Sequence, residues 1–107
     1  MIDGARPVVP IHWRLEIANA VLSAARRKAL RREASDLIRD ISALMPFIEQ
    51  DVSPDDPGTL VSLGQRLQLT AYDAAYIALA VRRALSLATE DKAMLAAART
   101  LKIAVMS

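Results

Sequence analysis

Three acids in this 107-residue chain stand where a parallel α/β protein gathers its reactive groups. Glu16 falls in the first turns of an amphipathic stretch that follows "PVVP". Asp73 follows Thr70 at the start of the Ala-rich "LTAYDAAYIAL", and Asp91 follows the short apolar "LSLAT". In open parallel sheets, functional groups collect at the carboxyl ends of strands and the starts of the next helices. Each acid also has a plainer use. Thr70-x-x-Asp73 has the spacing of a capping box, in which the acid turns back to the N-cap amide; on spacing alone that use leads. Asp91 suits a helix N-terminus, where a carboxylate complements the helix dipole. Glu16 can be an exposed acid early in a helix, although it and Asn19 flank the apolar face set by Trp13, Ile17 and Ala20. Capping and an acidic site both stay open for this set, and no single acid decides between them. The other acids fall mainly in a loop (Asp51, Asp55, Asp56) or on helix faces expected to be solvated (Glu33, Asp36, Asp40). Tyr72 and Tyr76 lie either side of Asp73; they could stack on bases, but burial in the core suits them better.

The elements that must position these acids follow from hydrophobic spacing. Val8 and Val9 between prolines suit a short strand. From Ile11 the apolar residues recur at three- and four-residue steps, a helix expected to reach about Ala29 and to end among Arg26, Arg27, Lys28, Arg31 and Arg32. A second helix fits Ser35 to Met45, with Ser35 as N-cap and Pro46 as its stop. "FIEQDV" alternates like a half-buried strand, and "SPDDPG" is a loop. Asp56-Pro57 looks like an N-cap and first helical position, leading a short helix through Leu60, Leu63 and Leu67. Thr70 to about Arg83 is apolar on most sides and is expected to be central and buried. "LSLAT" and "KIAVM" suit short strands around a last helix from about Asp91 to Thr100. Helices alternating with short strands predict an α/β fold with a parallel sheet, and the length predicts one domain spanning residues 1–107.

Composition narrows the classes further. Hydrophobic residues make up 53% of the chain and aromatics 4%, so the core must be built from Ala, Leu, Val and Ile. Three glycines argue against a turn-rich all-β fold. The formal charge of +2 is a mild basic bias, compatible with nucleic acid but not diagnostic of it. The absence of Cys excludes disulfides and Cys-based zinc sites, and a single His, His12, excludes a multi-His metal site within one chain. No apolar run approaches the roughly 20 residues of a membrane span. The N-terminus lacks the layout of a signal peptide. The expectation is a soluble cytoplasmic protein.

Three blocks together carry a resemblance. "HWRLEIANAVLSAARR", "LTAYDAAYIALAVRR" and "LATEDKAMLAAARTLKIAV" resemble, in order and from about Arg6 to Val105, the corresponding blocks of VapC-type PIN-domain toxins. These are the ribonuclease halves of toxin–antitoxin pairs. The resemblance implies a PIN-like three-layer α/β fold with a short parallel sheet, and RNA cleavage dependent on Mg²⁺ or Mn²⁺. Residue by residue, Glu16 matches the family's helix glutamate, Asp73 the aspartate of the "TAYDA" block and Asp91 the aspartate after the "LAT" strand. All three are implied as catalytic and metal-binding residues, with Asn19 and Thr89 as polar supports. An antitoxin partner and an RNA substrate are implied as well. The residue types suit that chemistry, because Mg²⁺ takes oxygen ligands and keeps several waters. The basic cluster from Arg26 to Arg32 could hold an RNA backbone, or it could be a solvated helix end.

The chain departs from the family pattern at its start. The family begins with a strand ending in an aspartate, then two helices, and "ARPVVP" matches the part that comes after them. Asp3 is too close to Val8 for those elements to fit between, so the first aspartate's role is not carried over to it. Three matched acids in place of four lead to an alternative: a catalytically inactive remnant that binds an antitoxin or itself. A third possibility is an unrelated α/β domain whose acids only cap helices. A sheet without a central strand exposes edges and apolar surface, which predicts a homodimer or higher oligomer. Ala84 is a smaller departure, since glycine ends a helix there more easily.

Overall fold

In a computed structural model, which describes residues 6–28, 33–52 and 55–106 and the backbone of residues 2–3, the chain opens with two short strands. β1 (Ile2–Asp3) runs antiparallel to β2 (Arg6–Pro10), where Val8 and Val9 are buried. Helix α1 (Trp13–Arg26) follows, its N-cap the backbone of His12, whose carbonyl accepts from the amides of Leu15 and Glu16 at 3.0 and 3.2 Å. Of the basic cluster at its end, Arg26, Arg27 and Lys28 are described, while Arg31, Arg32 and the expected helix end at Ala29 lie outside the described residues. α2 (Ala34–Leu44) has its N-cap two residues earlier than its sequence suggests. Glu33, not Ser35, has the extended backbone of the N-cap, and its carbonyl takes the amides of Asp36 and Leu37. Pro46 then turns Met45–Phe47 into a single 3₁₀ turn, which shortens the expected strand to β3 (Glu49–Asp51).

Asp56 and Pro57 start α3 (Pro57–Leu67) as the sequence predicts, with the Asp56 carboxylate accepting from the Thr59 amide at 3.2 Å. Thr70 caps α4 (Ala71–Arg83), which buries Ala74, Ala75, Ile77, Ala78, Leu79 and Ala80 and is the central helix. Its small residues let β2 and its neighbours come close, while Ile77 and Leu79 fill the space between. β4 (Leu87–Ala88), α5 (Lys92–Leu101) and β5 (Val105–Met106) close the chain. The core joins Val8 of β2 to α4, Leu87 of β4, and Met94, Ala97 and Ala98 of α5.

The fold is small, mixed α/β and mostly helical, with short parallel strands. β2 pairs in parallel with β3, Val8 opposite Glu49 and Pro10 opposite Asp51, and β4 pairs in parallel with β5. The strands form two separate sheets, ordered β1-β2-β3 and β4-β5, where one parallel sheet is expected from the sequence. Among the described residues no strand bridges β2 and β4. Charge ties the first sheet to α4. Arg82 donates to both oxygens of Asp51 at 3.2 and 3.0 Å and reaches Asp55 at 3.5 Å; Arg83 pairs with Glu49 and with Asp51. The Asp51 side chain is only 7% exposed, so losing an arginine would leave a desolvated carboxylate with less compensation. The bond to Asp51 is also the main cause of an Arg82 guanidinium held above its ordinary pKa. Among the described residues, no helix is long and apolar enough to cross a membrane.

Candidate functional site

Glu16 points across the join between α1 and α4. Its Oε1 accepts a hydrogen bond from the Tyr76 hydroxyl at 2.9 Å, linking residues 60 positions apart. His12, one helical turn before Glu16, brings Nε2 to 3.0 Å from the same oxygen. That nitrogen is shielded from solvent and out of line for a hydrogen bond, so the contact becomes an ion pair only when the ring is protonated. Two tyrosines hold the imidazole in place. Its centroid lies 5.3 Å from Tyr76, edge to face, and 5.4 Å from Tyr72 at a tilt of 57°. Edge-to-face and tilted pairs at such separations are favourable for aromatic rings.

Asp73 lies one turn before Tyr76 on the same face of α4. Thr70 Oγ1 accepts from the Asp73 amide at 3.1 Å, which is one half of the capping box. The reciprocal bond, from the Thr70 amide to the Asp73 carboxylate, is not formed among the described residues. The cap therefore employs the backbone of Asp73 and leaves its carboxylate for the surface between α1 and α4. Asp91 differs. Its Oδ1 accepts from the Met94 amide at 2.9 Å and so caps α5, while its own amide donates to Thr89 Oγ1 at 3.1 Å. The capping use expected for Asp91 is real, and it occupies one of two carboxylate oxygens.

The three acids line one cavity of about 390 Å³, which also takes in Thr89, Tyr76 and Trp13 and the apolar Val9, Leu87 and Met94. Val9 comes from β2 and Leu87 from β4, so this cavity lies where the two sheets part. No Lys or Arg is among its described lining residues. A larger groove of about 630 Å³ shares Glu16 and Asp73 with it and continues along α1 past Asn19 to Leu22, with Thr70 and Tyr72 on the α4 side. Asn19 thus borders the groove, whereas Thr89 borders the acid cavity.

The shared negative charge acts on Tyr76. Burial first, then the bond to Glu16, then the charges of Glu16 and Asp73 push its phenol well above the usual tyrosine range. At neutral pH it is therefore a proton donor that fixes Glu16. His12 and Tyr76 are site residues that sequence reasoning missed or placed in the core. Their signals were spacing: His12 is four residues before Glu16, and Tyr76 three after Asp73.

Oxygen donors of this kind suit a hard divalent cation. Their arrangement is looser than a closed cage, since among the described residues no three His, Asp or Glu side chains are gathered to hold a metal ion together. The set fits an ion bound by one or two carboxylates with the rest of its shell filled by water, which is usual for Mg²⁺. It does not fit an ion ligated directly by all three acids.

No protein-family model and no curated protein matches this chain. Among solved structures it is similar to the crystal structure of PAE2754 from Pyrobaculum aerophilum, with a TM-score of 0.71 and 24% sequence identity, over 84% of this chain and 65% of that one. The chain therefore spans 65% of the length of that structure. At this identity the likeness speaks to the fold alone, and the fold it supports is a small α/β domain.

Proposed function

We propose that this chain is a PIN-like domain of the VapC type: a metal-dependent endoribonuclease toxin that works with a cognate antitoxin in the cytoplasm. Glu16, Asp73 and Asp91 form its acidic site. One observation carries the reading. Acids from α1, from α4 and from the N-cap of α5 line a single cavity where β2 and β4 part. Capping alone gives no reason for this, because Glu16 caps nothing, Thr70 supplies the side-chain cap of α4, and the cap made by Asp91 is complete within α5.

Carboxylates sharing a cavity without a cation repel one another. Glu16 and Asp73, which border both the cavity and the groove, would hold Mg²⁺ or Mn²⁺ directly, and Asp91 and Thr89 would act through water. Such an ion, when held there, would supply positive charge against the phosphate and make a nearby water more acidic. The chain supplies the positioning. Tyr76 holds Glu16 through its hydroxyl proton, Thr70 fixes the turn that carries Asp73, and the Met94 amide fixes Asp91. Hydrolysis adds the water oxygen to phosphorus and breaks the bond to the leaving oxygen, which takes up a proton. Arg26, Arg27 and Lys28, at the far end of α1, offer countercharge to the RNA backbone.

A second reading is a catalytically inactive remnant that binds an antitoxin or a second copy. It is favoured by the lack of a ready three-ligand group among the described residues. Incubation of single-stranded RNA with Mg²⁺ and with EDTA, for the parent and Asp73→Asn, separates the two. The expected result is Mg²⁺-dependent cleavage by the parent and a loss of roughly 10²-fold or more in the variant, the scale for a group that stabilises transition-state charge. Cleavage that survives the substitution would show the assigned site to be wrong. A parent that never cuts would favour the inactive remnant.

A further inference from the structure

Tyr72 is 64% exposed, although a tyrosine in this Ala-rich helix is expected to be buried. One side of its ring meets His12, whose side chain is 16% exposed and is braced from below by Tyr76. The rest of the ring lies open on the large groove. That groove has apolar walls at Leu15 and Leu22 and polar groups at Asn19 and Thr70, and it runs directly into Glu16 and Asp73. Further along α1, Arg26 is seven residues beyond Asn19, about 10 Å at the helical rise.

We infer that Tyr72, backed by His12, is a stacking platform for one unpaired base of the RNA, placed beside the phosphate that Glu16 and Asp73 address. This rests on the ribonuclease reading and adds to it the residue that selects unpaired RNA. An exposed ring held at a tilt by a half-buried neighbour presents a flat apolar face at little entropic cost. Asn19 carries both a donor and an acceptor, which suits the edge of a base. A base inside an A-form duplex is already stacked and cannot offer its face, whereas an unpaired one can. A peptide's apolar side chains would cover Leu15 and Leu22, but would desolvate the Asn19 amide and the Asp73 carboxylate beside them without pairing either. The groove's mixed lining and its continuity with the acids therefore favour a nucleotide.

The test is fluorescence anisotropy with a short fluorescein-labelled single-stranded RNA and a duplex of the same sequence. Ca²⁺ replaces Mg²⁺, so that the carboxylates are neutralised while binding is measured apart from turnover. Tyr72→Ala should weaken the single strand about 5- to 150-fold, the range for one stacked base. Duplex binding should stay unchanged, and Tyr72→Phe should bind like the parent because the ring is what stacks. Circular dichroism melts of both variants confirm that they fold. Equal binding by Tyr72→Ala and the parent overturns the inference, as does an equal loss in Tyr72→Phe. If Tyr72→Ala keeps RNA binding but turns an associating parent into monomers, the groove docks protein and the inference is again overturned. The two readings fail separately. A parent that cuts RNA through Asp73 while Tyr72→Ala binds normally sinks only the platform. A parent that binds RNA through Tyr72 without cutting it upholds the platform and sinks the catalytic reading. A parent that binds no RNA sinks both.

Discussion

The Tyr76 hydroxyl bonded to Glu16 gives the site a measurable pH signature. The phenol's pKa is raised in the folded chain, above an unfolded value near 10. Below about pH 10 both states keep the proton and the bond contributes in full. Above it the unfolded phenol ionises while the folded one does not, so the unfolded state binds fewer protons and stability falls as pH rises. Tyr76→Phe should lower stability by about 1.5–3 kcal/mol at pH 7, the scale of a hydrogen bond to a charged group. It should also flatten the alkaline limb of the stability curve relative to the parent. Urea titrations at neutral pH and above pH 10 check both; parallel alkaline limbs would mean that Tyr76 is not the group responsible. At this scale much of the site is legible in the sequence. Glu16, Asp73 and Asp91 stand out by their places at helix starts, and the cavity they share is a product of packing among α1, α4 and α5 that no local spacing encodes. Tyr76 stands out beside Asp73 but reads as a core residue, because the Glu16 it bonds lies 60 residues away.

Among the elements, helix ends are where the chain departs most from easy geometry. Lys28, Gln68, Ala84 and Lys102 adopt φ between 53° and 58°, the left-handed region that glycine enters without steric penalty. The three glycines lie elsewhere. Ala84 ends α4 in a Schellman-like turn, with the Leu85 amide donating to Ala80 at 2.9 Å. Its side chain is exposed, so Ala84→Gly removes strain at little loss of contact and should stabilise the fold by up to about 1 kcal/mol. Gly64→Ala should do the opposite. A Cβ there would lie 2.9 Å from the Leu69 carbonyl oxygen, in the turn that delivers Thr70 and hence Asp73. Overpacking of this kind costs about 1–3 kcal/mol. Thermal melts of the two variants, shifted in opposite directions from the parent, would bear this out; a lower Tm for Ala84→Gly would refute the strain at α4. The helices follow their sequence signals closely because caps and stops are local: Thr70, Asp56-Pro57 and Pro46 act within a turn. The strands are shorter than their apolar runs suggest, for reasons equally physical. Pro46 draws Phe47 into the 3₁₀ turn, and the Leu85 amide is already committed to closing α4. Ser35 misleads because the Leu37 amide it could cap is already taken by the Glu33 carbonyl.

For the molecule as a whole, the decisive feature is how unevenly it buries its apolar residues. The core is confined to β2, α4, β4, α5 and Leu85 between α4 and β4, while α1, α2 and α3 contribute no fully buried residue. α2 carries an apolar stripe of Leu37, Ile38, Ile41 and Leu44, yet Ile38 and Leu44 on it are 41% and 57% exposed, and Phe47 just beyond is 67% exposed. β4 pairs only with β5, which leaves a strand edge unpaired among the described residues. A domain of this size has little burial to spare, and exposed apolar patches and open edges invite association. A second copy seated on α2 would cover the stripe. Light scattering should therefore give at least twice the 11.7 kDa chain mass, with a Tm that rises with protein concentration, as linkage to association requires. The paired substitution Leu44→Ser and Phe47→Ser should shift that mass towards the monomer while leaving the helical circular dichroism signal intact, because neither side chain belongs to the core. It should also leave single-stranded RNA binding at Tyr72 unchanged, since the groove lies between α1 and α4. A single-chain mass and a concentration-independent melt for the parent would mean that α2 stays open to solvent and that the small core of α4 and α5 suffices alone.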